Sequence, residues 1–247
     1  MVASNNGIYN TVGASISGVT NTLTVTNPSN TASSAARETI TVGGGTAGDP
    51  TLNWNVSGVT NWEMGIDNSD SDKWKLSNGT ALGTNDTIVS FVAGQVLKPL
   101  QPVFFARVSA PIANVTGDGT TYLIQFNATT LNVGASYNTG TGLFTAPVTG
   151  NYLFTTFVDS FNYTVAFHSA VGDFIVNGLT SYRYFQIAGG SHDNNGNLGG
   201  AASVILPLTA GDTVGVNIQV QGGTKTVGIL GVSGNFTLTY FTGTLLC

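Results

Sequence analysis

The sequence predicts an all-β protein built of short strands and tight turns. Three observations carry this. Gly (33), Thr (35) and Asn (24) make up more than a third of the 247 residues, and all three are poor helix formers. Charged residues are only 8%, against about 25% in an ordinary soluble domain. Apolar residues recur with period two, as in TLNWNV at Thr51–Val56, where Leu52, Trp54 and Val56 share a face. High hydrophobicity with low charge excludes disorder. No apolar run of about 18 residues occurs, so no membrane insertion is expected. A net charge of −5 excludes a nucleic-acid partner, because phosphate binding needs clustered Lys and Arg. The one cysteine, Cys247, rules out a disulfide framework within the chain.

Residues 1–93 form the first region, a β-rich attachment or stalk segment. The opening run MVASNNGIYNTVGAS has no basic or apolar signal region, so Sec export is not expected. Residues 22–26 (TLTVT), 39–42 (TITV) and 51–56 alternate as strands, with turn clusters at Asn27-Pro28-Ser29-Asn30 and Gly43-Gly44-Gly45. Ala32 to Glu38 tolerates helix but is too short to form one. The pentapeptide SGVTN stands at 17–21 and again at 57–61, which is either a structural repeat or coincidence. Residues 94–103, with Pro99 and Pro102, read as a linker. Strands follow at 104–108, 121–126, 150–157, 164–166, 172–176, 181–187, 202–206, 213–220, 226–232 and 235–246. Ten strands without helical patterns mean a sandwich, jelly roll or barrel.

One segment narrows the choice. It reads Tyr137…Phe144-x-x-Pro147-x-x-Gly150-x-Tyr152-x-Phe154. Pro147 stands where no ladder donor is needed, Gly150 supplies backbone freedom before a strand, and Tyr152 and Phe154 share a face that fills a core. In chain order there follow Asn177-Gly178, a hairpin turn, Gly199-Gly200-Ala201, Leu206-x-Leu208-x-x-Gly211-Asp212-x-Val214, and Phe241-Thr242-Gly243-Thr244-Leu245-Leu246. Ala106-Arg107 stands at the start, and Asn127 stands where an Asp is usual. This series resembles the globular head of complement component 1 subunit q, a jelly roll related to the tumour necrosis factor superfamily. The resemblance covers 104–246 and implies a ten-stranded jelly-roll sandwich that forms a homotrimer. A second resemblance lies in Gly48-Asp49-Pro50-Thr51-Leu52 through Trp54, in Trp62 through Ser77, with its run GIDNSDSDKWK, and in Gly83-Thr84-Asn85-Asp86. These look like segments of bacteriophage tail-fibre and appendage proteins, and imply a virion location with contacts to other virion proteins through the N-terminal region.

Candidate chemistry is sparse. His168, Ser169 and Asp173 supply the residue types of a catalytic triad, but sequence neighbours rarely form one, so catalysis is not expected. No cofactor is expected. A structural cation such as calcium is left open at Asp193, Asn195 and Asn197, which mimic half of an oxygen-rich calcium loop, and at Asp67, Asp70 and Asp72, where Lys73 and Lys75 adjoin. Trp54, Trp62 and Trp74 are candidates for stacking on sugars or for a small core or trimer seam. Tyr182 and Tyr184 beside Arg183 form a second aromatic patch, facing either a ligand or an interface. The seven Asn-x-Ser/Thr sequons are assigned no role. The charge-poor stretch 214–232, with Lys225 alone, predicts a seam between subunits of the head.

Together these readings describe a non-enzymatic virion protein, a trimeric phage fibre or appendage. Its jelly-roll tip would bind a host-surface glycan or protein. The alternatives are a capsid decoration, head-fibre or cement protein, and a secreted bacterial lectin-like adhesin.

Overall fold

A computed structural model describes residues 27–32, 34–90, 95–164, 166–188, 193, 196–233 and 236–246. Among these every regular element is a strand except a single 3-10 turn, Asn68–Asp70. The all-β expectation therefore holds. The strand at 22–26 and the first pentapeptide lie outside the described residues.

The first unit is a five-stranded antiparallel meander, β1 (Thr51–Val56), β2 (Thr60–Asp67), β3 (Lys73–Asn78), β4 (Asp86–Ser90) and β5 (Val96–Leu97), paired in that order. Gly58, at φ 74°, turns the chain between β1 and β2, the backbone angle glycine accepts most readily. Asp67 caps the β2–β3 turn, its side chain accepting from the N–H groups of Ser69 and Asp70. Residues 39–42 form no strand, since alternation alone does not supply a ladder partner. The linker expected at 94–103 begins later, because β5 pairs with β4 and leaves only 98–102 before the next strand.

The second unit is a two-sheet sandwich. One sheet holds β6 (Val103–Arg107), β7 (Ile112–Thr116), β9 (Ala128–Val133), β12 (Gly150–Phe161), β15 (Leu198–Leu208), β17 (Val227–Ile229) and β20 (Tyr240–Leu245). The other holds β8 (Thr121–Leu123), β10 (Tyr137–Asn138), β11 (Leu143–Thr145), β13 (Ser169–Val176), β14 (Thr180–Ala188) and β16 (Thr213–Gln221). The short pair β18 (Val232–Ser233) and β19 (Phe236–Thr237) stands apart.

β12 organises the first sheet. β15 runs along one side of it from Gly150↔Leu208 to Ser160↔Leu198, and β20 pairs with Tyr152 through Phe157 on the other. Along β12 the side chains of Tyr152, Phe154, Thr156, Val158 and Ser160 are buried, alternating with partly exposed neighbours, as a pleated strand dictates. Of the strand expected at 164–166, Thr164 and Ala166 stand in no strand, and the Thr164 carbonyl accepts from Phe167 N–H; Val165 lies outside the described residues. Between 112 and 145 short strands appear where the sequence suggested mostly loop. They are too brief for period two to register.

In β16, Val214, Val216, Ile218 and Val220 are at most 1% exposed in the single chain. The apolar side of this charge-poor strand is filled by the chain's own core, while residues 221–226 beyond it are exposed.

Candidate functional site

The motif residues build the framework. Tyr137, Phe144, Tyr152, Phe154 and Phe241 meet Phe104 in one aromatic cluster. Ring centroids are 4.9 Å apart for Phe104–Phe241, 5.2 Å for Phe144–Phe154 and 5.7 Å for Phe154–Phe241, within the range of favourable edge and offset contacts. Gly243 is the point where the rings of Phe104 and Phe154 press onto β20, and a Cβ there would overlap both. Pro147 lies exposed in the loop before Gly150, and the Tyr152 hydroxyl closes that loop by donating to the Val148 carbonyl at 2.7 Å. Leu245 is half-buried and pairs with Tyr152.

Gly211 and Asp212 tie three loops at one end. The Asp212 carboxylate accepts from Asn177 Nδ2 and from Thr209 N–H, both at 2.8 Å. The Ala146 carbonyl accepts from Gly211 N–H, and Asp212 returns a carbonyl to Ala146 N–H. Asn177 and the Thr209 amide hold the Asp212 carboxyl below its ordinary range. Asn127 performs a similar task without charge, its Oδ1 accepting from Ser109 N–H.

The outer face of the first sheet is a different surface. Phe105 on β6, Tyr240 on β20 and Phe157 on β12 stack across three neighbouring strands, with centroids 5.5 and 6.2 Å apart. Leu131 beside Phe105, and Leu153 with Ile205, extend the patch along β9, β12 and β15. Ile205 is 59% exposed. The Thr155 and Ser203 hydroxyls bond to each other on the same face, while Arg107 stands directly opposite Tyr240 and Asp159 lies one row beyond Phe157.

Sequence reasoning missed this ladder. A signal was present: Phe104-Phe105 and Tyr240-Phe241 are adjacent aromatics, and neighbours on a strand point to opposite faces. Each doublet therefore marks a strand whose two faces are both apolar.

In the first unit the acidic cluster encloses a lysine. Lys75 Nζ donates to Asp67 Oδ2 and Asp70 Oδ2 at 2.8 Å and to Asp86 Oδ2 at 3.1 Å. Its side chain is 4% exposed. Burial opposes the ammonium charge, but the three carboxylates outweigh it and raise the Lys75 pKa. The hydrogen bonds from Lys75 and then Ser69 hold the Asp67 carboxyl below its ordinary range. Burial pushes Asp86 upward, yet Ser77, the Gly83 N–H and Lys75 leave it lowered overall. The cation read for Asp67, Asp70 and Asp72 is thus the chain's own ammonium. Asp72 stands exposed outside the group, and Asp86 takes its place.

The other candidates do not converge. Trp54 and Trp62 pair across β1 and β2, while Trp74 pairs with Ile66, so the three share the apolar face of the meander. Tyr182 is exposed. Tyr184 turns inward against Phe174 and Phe185, and its burial raises the phenol pKa well above the ordinary value. Asp173 bonds Arg183 Nε at 3.0 Å, away from the exposed His168, so the triad types are not assembled. Asp193 Oδ1 accepts from Asn197 N–H at 2.8 Å, closing the loop on itself, and Asn195 lies outside the described residues. Among the described residues no group of three His, Cys, Asp or Glu side chains could hold a metal ion. No described helix is long and apolar enough to cross a membrane.

Residues 103–246 match the C1q domain family, more than half of the chain. The chain belongs to the C1q domain family. Solved structures similar to the C1q domain include the globular domain of zebrafish complement 1qA protein, at 18% identity and TM-score 0.38, covering 60% of this chain and 98% of that one. Murine APRIL at pH 8.0 is 15% identical, with TM-score 0.40 and coverage of 59% and 99%. Eiger TNF from S. frugiperda is 16% identical, with TM-score 0.40 and coverage of 60% and 92%. No curated protein matches the chain. The aromatic cluster, Gly243 and the Gly211-Asp212 turn all lie inside the C1q domain, and the caged lysine lies outside it.

Proposed function

We propose that this chain is a non-enzymatic, homotrimeric fibre or appendage protein of a bacteriophage virion, with the C1q domain as a tip that binds the host surface. The observation that carries the trimer is the outer face of the first sheet. Three stacked aromatic rings, flanked by Leu131, Leu153 and Ile205, stand partly exposed on a face whose charges are Arg107, opposite Tyr240, and Asp159 beyond Phe157. Contiguous apolar faces of this kind mark protein interfaces, and a heterologous contact, this face against a different face of the next chain, closes into a ring when the rotation closes. The low charge of the whole chain accords with subunits that cover one another. Three identical weak sites on one tip would gain avidity, which suits adhesion. The virion placement is supported by the run from Trp62 to Ser77 and its likeness to phage appendage segments.

Light scattering of the purified chain tests the trimer. The expected mass is three chains, falling to one in Phe157→Lys, which sets a charge on the ladder. A monomeric wild type overturns the reading. Cryo-electron microscopy of the parent particle, with a host-cell binding assay, tests the rest. Firm binding to capsids without binding to cells would make the protein a capsid decoration instead.

A further inference from the structure

The sheet that precedes the C1q domain has two unlike faces. One carries the caged Lys75 and is covered by the 79–85 loop, whose Leu82 is buried. The other is set by the strand register. Trp54 stands opposite Trp62 and Trp62 opposite Asn78. Leu52, Met64, Leu76 and Ile88 form the next row, and Ile66, Trp74 and Ser90 the third. No charged residue stands in these rows. Trp54 is 48% exposed, Ile66 41% and Trp74 39%. Glu38 and Ile40 reach the border, leaving a cleft of about 320 Å³ beside Leu52, Met64, Ile66 and Trp74. A one-layer sheet must find a second layer for its apolar face.

We infer that this face packs against the same face of the other two copies, so that the tryptophans of three chains line one seam. The inference rests on the trimeric reading of the C1q domain. Size favours a second copy over a foreign partner. Strands about 4.8 Å apart with a rise of about 3.3 Å per residue give four strands of six residues a face of roughly 400 Å². That is about half of the ~800 Å² each partner contributes to a standard interface. Such a face does not hold a complex alone. Residues 98–102 alone separate β5 from β6, so trimeric heads would bring three of these faces together at high effective concentration, where a small contact suffices. Charge points the same way. Each chain carries a net charge of −5, and like charges would repel across a symmetric seam. Here Asp67, Asp70 and Asp86 lie on the opposite face, already paired with Lys75.

The chain's three tryptophans all lie on this face, so intrinsic fluorescence reports it alone. The experiment measures iodide quenching of the full chain beside its mass by light scattering, for wild type, Ile66→Lys and the control Thr84→Lys on the exposed loop of the other face. The inference expects a trimeric wild type with blue-shifted, poorly quenched emission. Ile66→Lys should raise the quenching several-fold while the C1q domains keep the mass trimeric, and Thr84→Lys should change neither. A trimer whose wild-type tryptophans are quenched as strongly as those of Ile66→Lys overturns the seam and leaves the trimer standing. Emission that shifts on adding a soluble oligosaccharide overturns it too, in favour of a sugar site. A monomer overturns both readings, and protected tryptophans in a monomer would show that the chain covers its own face. The wild-type quenching and mass decide the matter even where Ile66→Lys does not fold.

Discussion

In the C1q domain the deepest side chains are Phe104, Phe144, Tyr152, Phe154 and Phe241, whereas in the sheet over 51–97 they are Lys75, Asp67 and Ser77. The first unit turns its tryptophans outward and its charges inward, whereas the second buries phenylalanine and tyrosine rings. The difference follows from layer number. Two facing sheets shut water out of the space between them, so aromatic rings fill it. A single sheet under one loop has no such space, and a cluster of ion pairs bonded to one another and to backbone N–H groups can occupy what the loop covers. A buried ion pair is weak evidence for stability, but it constrains register. A slip of one residue in β3 would carry Lys75 to the apolar face and break its three carboxylate contacts at once.

Four substitutions or conditions would break or sharpen this contrast, and the two units can be read separately because all the tryptophans lie in the first. Phe154→Ala or Phe241→Ala should have the largest effect, about 3–5 kcal/mol for a fully buried ring. Urea unfolding followed by tyrosine near-ultraviolet dichroism should show it, while the tryptophan transition stays in place. A common shift of both signals would mean that the two units unfold as one.

Lys75→Met comes next. Removing one partner of a buried network costs about 3–5 kcal/mol, and the lower end is expected because Asp70 is 41% exposed. Here the tryptophan transition should move and the tyrosine signal should not. Adding Asp67→Asn and Asp86→Asn should restore part of the loss by removing the stranded charges.

Acid should separate the units more gently. Asp67 and Asp86 have lowered pKa values in the fold. Their contribution is therefore complete above the unfolded carboxylate value and disappears as pH falls through the lowered ones. The C1q domain has mixed signs. Asp212 and Asp118 are lowered, while burial and then Asp193 raise Asp159, whose protonation on acidification favours the fold. Below about pH 4 the tryptophan signal should change before the tyrosine signal, and coincident acid midpoints would contradict the assignment. Asp212→Ala should have the smallest effect, faster amide exchange at Gly211 and Thr213 with the unfolding midpoint little moved.

Much of the C1q domain was legible because its constraints are local. Tyr152 with Phe154 follows from neighbours in the chain that must share a face, while Gly243 and the Gly211-Asp212 turn were marked by the resemblance. The short strands β7, β9, β10 and β11 were not legible, since two to six residues carry too little period. The aromatic ladder was half legible: the doublets at 104–105 and 240–241 reveal two apolar faces without saying which rings meet. Asp86 was not legible as a partner of Lys75. The register shifts between Leu76 and Ser77, where Thr87 is the extra residue in β4, and this bulge sets Asp86 opposite Ser77 instead of on the side of Ile88. Asp72, nearer in sequence, is exposed beside Ser71, both at positive φ.

By itself the sequence determined the all-β class and the inward residues of the core, because period-two alternation and turn residues act over a few positions, and the ordered motif series carried the resemblance to the family of the C-terminal domain. Only the tertiary structure decided which carboxylates enclose Lys75, that the charge-poor β16 lies inside one chain, and that Phe105, Tyr240 and Phe157 form one surface. The physical reason is the same in each case. Alternation tells that a strand has two different faces, but bulges, loops and the pairing of distant strands decide what each face meets.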